Sequence, residues 1–148
     1  DGVVSDKLET FDADGVHAVW AKALERRNND PEGAITVART LLETVCKRVL
    51  DLSGTPYTDK EDLPKLYAMV AQALHLAPSQ HSEEPIKAIL GGAMNVVNGI
   101  GTLRNRLSDA HGRGGAPVKP APRHATLAVN MAGTLATFLV ETLESHKK

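Results

Sequence analysis

One cysteine in 148 residues leaves nothing to pair in an intramolecular disulfide, and no grouping of cysteine with histidine has the spacing of a zinc site. A reducing, cytoplasmic setting is therefore expected, with no metal and no cofactor. Cys46, between Val45 and Lys47 on a helical pattern, reads as a small core hydrophobe. An excess of one charge is missing too: the net charge is −1 at pH 7 and the pI is near 6.7. That excludes a uniformly basic nucleic-acid coat, so any phosphate-binding surface must be local. No basic-then-apolar leader opens the chain. It begins on Asp1 and not on methionine, so processing, tag removal or excision from a longer protein is expected, the last being preferred.

Strand-like alternation is also lacking, and apolar residues recur instead at helical spacing. The length suits one domain, residues 1–148, able to bury about two-thirds of its unfolded surface. Val16, Val19, Trp20, Ala23 and Leu24 mark a first helix that fades at Arg27, Asn28, Asn29 and Asp30. Asp30 with Pro31 starts a second, which carries Ile35, Ala38, Leu41, Leu42, Val45, Val49 and Leu50 to a stop at Ser53, Gly54, Thr55 and Pro56. A third runs from about Asp62 to Pro78. Ser82, Glu83, Glu84 and Pro85 open a fourth, with acids where the helix dipole favours them. Its Gly91-Gly92 pair and the run Asn98 to Gly101 fit either one bent helix or two short ones. Val96, Ile100, Leu103, Leu107 and Ala110 form a stripe suited to packing on another helix.

The last helix, about Ala125 to Ser145, is apolar enough to raise the question of a membrane span. Its strongest run is under about 18 residues and is broken by Asn130, Thr134 and Thr137, against the roughly 20 apolar positions a span needs. A central core helix is expected instead. In it Ala128, Ala132, Gly133 and Ala136 admit a close neighbour, and Leu127, Met131, Leu135, Phe138 and Leu139 supply volume. The fold class expected is all-α, a bundle of about five helices.

Chemistry concentrates between Arg104 and His124. Five cations, Arg104, Arg106, Arg113, Lys119 and Arg123, face a single acid, Asp109, and two histidines, His111 and His124, lie among them. Seven residues are nearly two helical turns, so Arg104 and His111 share one face about 10.5 Å apart along the axis, whereas Arg106 is rotated roughly 140° from His111. An arginine fork and an imidazole converging on one phosphate can cut RNA without a metal, because RNA carries its own nucleophile in the 2′-hydroxyl. Ser108 runs along the same face. Asn105 and Asp109, four residues apart, either support the site or simply occupy the helix surface. The loop Gly112 to Pro122, rich in glycine and proline, reads equally as a basic RNA-holding flap with Arg113 and Lys119 or as an ordinary surface loop. Gly99 and Gly101 superficially suggest a phosphate loop, but no strand precedes them and no Gly-Lys-Ser/Thr follows. His17, His75, His81 and His146 have no paired ligands in sequence.

The block from Gly99 to Gly112, followed after the loop by Arg123 to Leu143, resembles the C-terminal domain of bacterial abortive-infection proteins, within the wider HEPN class. The resemblance implies an all-helical bundle and, in many members, a metal-independent endoribonuclease serving as toxin or phage-defence effector. The catalytic arginine and histidine then fall on Arg104 and His111, and Asn105 matches the polar residue that usually follows the arginine. A tyrosine common soon after the histidine is replaced here by Gly112, Arg113 and Gly114.

One arginine with one histidine is a sparse site, so a two-fold homodimer pooling both sets is expected, and the resemblance implies dimers as well. Expected partners are thus RNA and a second copy, with an upstream domain or antitoxin possible and no membrane. The competing reading is a non-catalytic dimerisation or RNA-binding module in which Arg104 and His111 hold phosphate or simply pair with Asp109 and backbone groups at a helix end. Arg106, Arg113, Lys119, Arg123 and His124 are the residues expected to bind RNA.

Overall fold

A computed structural model describes residues 2–5, 16–113 and 120–146, with side chains for those outside 103–113. Residues 2–5 are helical. The other helices are α1 (Val16–Arg26), α2 (Pro31–Leu52), α3 (Leu63–Ala73), α4 (Glu84–Arg113) and α5 (Pro122–His146), with a 3₁₀ turn at Pro78–Gln80. The chain is all-α, as its apolar spacing predicts.

The start and stop of α2 follow from its end residues. Asp30 takes the Gly33 backbone N–H on its carboxylate at 3.0 Å, with Pro31 in the first turn. A Cβ on Gly33 would run into that same carboxylate, which would then have to shift. At the other end Gly54 adopts φ +72°, and Thr55 N–H reaches back to the Leu50 carbonyl at 2.9 Å, closing a Schellman motif. The same closure ends α3 earlier than the Pro78 expected: Leu76 N–H donates to the Ala71 carbonyl at 2.7 Å, with His75 at φ +63°. A histidine in the left-handed region carries no sequence signal of the kind a glycine gives.

The centre of the bundle is α2 and not the last helix. Residue pairs 37/38, 41/42, 45/46 and 49/50 are all buried, a stripe broad enough to face α1, α3, α4 and α5 at once. α5 packs along α2 and touches α1, burying Ala125, Val129, Ala132, Gly133 and Ala136. The expectation that its bulky residues fill the core is only partly met. Leu139 is buried, whereas Leu127, Met131 and Phe138 stand 58%, 37% and 38% exposed. The physical reason is Trp20 of α1, whose ring lies so close to Gly133 that a Cβ there would sit 2.5 Å from it. Small residues must face the core at that level, which turns the large ones outward. By length and hydropathy α5 is also the one described helix able to cross a membrane, with 44% of its most apolar window buried in the bundle.

Cys46 is fully buried beside Tyr67, and burial, then the charge of Glu43, pushes its thiol up to about 12. Burial, then Cys46, raises Tyr67 to about 12 as well. In the unfolded chain a thiol titrates near pH 8.5 and a phenol near 10. Both protons therefore leave the unfolded state first, and the stability they contribute is full below about pH 8.5 and falls as pH rises toward 12. Urea titrations should show that alkaline loss, reduced in Cys46→Ala, and native protein should resist thiol reagents at pH 8 that label it at once in urea.

Candidate functional site

The fourth segment is one unbroken helix of 30 residues, which settles the alternative of two short ones. Its glycines do not stop it because propagation costs little once a long helix is nucleated, about 1 kcal/mol per glycine relative to alanine. Gly101 has a packing role: a Cβ there would press on Pro64 of α3 at 3.2 Å. Ser108, Arg104 and His111 with their neighbours Asn105, Arg106 and Asp109 all ride on this continuous backbone. By register Arg104 and His111 occupy one face, and Arg106 lies well round from it. Their side chains lie outside the described residues.

Gly112 does not end the helix, which continues to Arg113. Arg113 is thereby moved from the loop, where the composition put it, to the last turn of α4, two residues past His111. Lys119 and the rest of the loop from 114 lie outside the described residues.

Arg123 and His124 sit in the first turn of α5, which begins at Pro122, three residues before the start expected at Ala125. Proline suits the first helical position, and Ala121 N–H donates to His124 Nδ1 at 3.1 Å, satisfying a backbone group that the helix leaves open. With Nδ1 accepting, Nε2 is the ring's donor. Both side chains are exposed. A cation that sequence spacing did not connect to them is Arg27 at the end of α1. Its Nη1 donates to Asn130 Oδ1 at 3.3 Å, two turns along α5 from Arg123. Among the described residues no three His, Cys, Asp or Glu are grouped to hold a metal.

Between α4 and α5 runs an apolar groove made of two adjoining hollows of about 460 and 320 Å³. Ile89, Gly92, Val96 and Gly99 line one wall, Leu127 and Met131 the other, and His124 lies at one end. Of the stripe expected from Val96 to Ala110, Val96 and the nearly buried Ile100 both line the groove, while Val97, outside the stripe, is fully buried in the core. Leu103, Leu107 and Ala110 lie among the side chains not described. Sequence reading missed the groove because it assigned Leu127 and Met131 to the core. The available signal was the absence of Asp, Glu, Lys and Arg from residues 88–103 and 124–140 of the sequence.

Residues 14–143 match the model of the Abi_C family, described as a HEPN-like domain. The chain belongs to this family of HEPN-like domains, whose members include ribonucleases and abortive-infection proteins. Comparison with curated proteins gave no match, and comparison with solved structures gave none.

Proposed function

We propose that this domain is a metal-independent endoribonuclease of a bacterial phage-defence or toxin system, working in the cytoplasm with Arg104 and His111 in a site completed by a second copy. The observation that carries the reading is an Arg and a His seven residues apart on one unbroken helix, in a chain of the HEPN-like family. In the reaction His111 takes the proton from the 2′-hydroxyl, whose oxygen forms a new bond to phosphorus. Arg104 forks onto the non-bridging oxygens as charge builds on them. The P–O5′ bond breaks, and a protonated imidazole, His111 of the partner subunit, supplies the proton to the leaving oxygen. The products are a 2′,3′-cyclic phosphate and a 5′-hydroxyl. Asn105, Ser108 and Asp109 support the two principal residues. Arg106, Arg113, Lys119, Arg123 and His124 hold the RNA backbone.

The apolar groove favours one other reading, a dimerisation or RNA-binding module whose cutting is done by another domain. Incubating total RNA with the protein and a chelator separates the two: cleavage by wild type and none by the Arg104→Ala/His111→Ala double variant supports the nuclease, and intact RNA in both supports the module. Replacing Arg113, Lys119 and Arg123 with glutamine is expected to weaken RNA binding and lower its salt dependence by up to about three phosphate contacts. Single-turnover cleavage at saturating RNA should stay nearly unchanged. An unaltered salt slope would move the RNA path elsewhere.

A further inference from the structure

The connection from α3 to α4 sets side by side two histidines that sequence spacing left unpaired. The His75 and His81 rings lie 5.5 Å apart, centre to centre, and are tilted by 57°. His75 is exposed at φ +63°, a left-handed position that glycine or asparagine suits better. The helix stop therefore does not ask for an imidazole there. His81, half-buried, sets Nε2 2.7 Å from the His75 carbonyl oxygen. A carbonyl only accepts, so Nε2 carries the proton, and in the neutral ring Nδ1 keeps its lone pair. One ring nitrogen donating to a backbone carbonyl while the other offers a lone pair is the support that metal-binding histidines have. The chain between the two rings is already ordered. Leu74, Leu76 and Ala77 are buried, Ala77 N–H donates to Gln80 Oε1 at 2.9 Å, and Gln80 Nε2 donates to Gln72 Oε1 at 3.2 Å. Little ordering is left to be done when a ligand binds. No lysine or arginine stands between Lys65 and Lys87 in the sequence, and Glu83 and Glu84 follow His81, so the local charge favours a cation.

We propose that His75 and His81 bind one Zn²⁺ ion as a clip across the connection from α3 to α4, His81 through Nδ1. With each ligating nitrogen about 2.0–2.1 Å from the metal, two imidazoles on a tetrahedral zinc have ring centres about 5.2 Å apart, and two at a right angle about 4.5 Å. The 5.5 Å separation found here is near the tetrahedral value. Imidazole also suits zinc, copper and nickel, whereas magnesium and calcium prefer oxygen. Among the described residues no third His, Cys, Asp or Glu completes a larger group, so water takes the remaining positions and the ion exchanges more readily than at a four-ligand site. The clip takes no part in the cleavage step proposed above, and either can fail without the other.

Calorimetric titration of the whole chain, free of any histidine tag, with zinc chloride should show binding that magnesium chloride does not reproduce. His75→Asn suits the left-handed backbone, and His81→Gln keeps an amide that can donate to the His75 carbonyl, so both variants remove a ligand and spare the fold. Each should weaken zinc binding at least about tenfold, with helical circular dichroism kept. The double variant His17→Ala/His146→Ala should bind as wild type does. Zinc should also raise the urea midpoint of wild type and leave that of His75→Asn and His81→Gln where it was, as a ligand of the folded state does. No zinc binding by wild type, binding undiminished in either His75→Asn or His81→Gln, or binding lost with His17 and His146 would overturn the site.

Discussion

Arg104→Ala and His111→Ala are each expected to abolish RNA cleavage, while Arg106→Ala keeps a substantial fraction of it. The size of the loss follows from the roles. A positioned acid–base group contributes about 10²–10⁴ in rate, and a donor aimed at developing charge about 10²–10³. The distinction between the two arginines follows from the backbone alone. Because α4 runs unbroken from Glu84 to Arg113, positions 104 and 111 keep helical register, and 106 does not share their face. Circular dichroism and urea midpoints that match wild type would show that the loss is one of chemistry and not of folding. Equal inactivity of Arg106→Ala and Arg104→Ala would mean that the catalytic arginine has been assigned to the wrong turn.

The largest effect on stability is expected at Gly133. A single added Cβ would lie 2.5 Å from two ring carbons of Trp20, a separation that real contacts do not reach. Trp20 has little freedom to retreat. It is 1% exposed, and its indole N–H donates to Ser5 Oγ at 2.9 Å, which ties residues 2–5 to α1. Gly133→Ala should therefore cost about 1–3 kcal/mol and Gly133→Val at least as much, by overpacking. The measurement is the urea midpoint followed by far-UV circular dichroism, which does not depend on the chain's single tryptophan. Trp20→Leu should itself cost stability but absorb much of the Gly133→Ala penalty, so the two changes should be strongly non-additive. Simple additivity would show that the ring and the glycine do not constrain each other.

Periodicity made α1, α2, α3 and α5 legible in sequence, together with the cap at Asp30 and the stop at Gly54, because each rests on local backbone chemistry. The end of α3 was hidden by a histidine doing a glycine's work, and the continuity of α4 by glycines that a long helix tolerates. The facing of α5 was misread for a different reason. Its small and large residues both recur at helical spacing, so periodicity defines two candidate core faces, and only the distant Trp20 decides between them. Of the candidate site, the shared face of Arg104 and His111 was legible because it depends on spacing within one element. Arg113 was assigned to the loop on the composition beyond Gly112, and the pairing of Arg27 with Asn130 joins elements about a hundred residues apart, beyond the reach of any local pattern.

The central claim is cleavage through the 2′-hydroxyl without a metal. The most direct measurement is end-group analysis after incubating purified protein with a defined RNA and excess chelator, beside the same strand with a single 2′-deoxy nucleotide at the cut position. A 2′,3′-cyclic phosphate paired with a 5′-hydroxyl, and no cut at the deoxy position, is the result predicted. Cleavage that survives the deoxy substitution, or fragments ending in a 5′-phosphate, would contradict it.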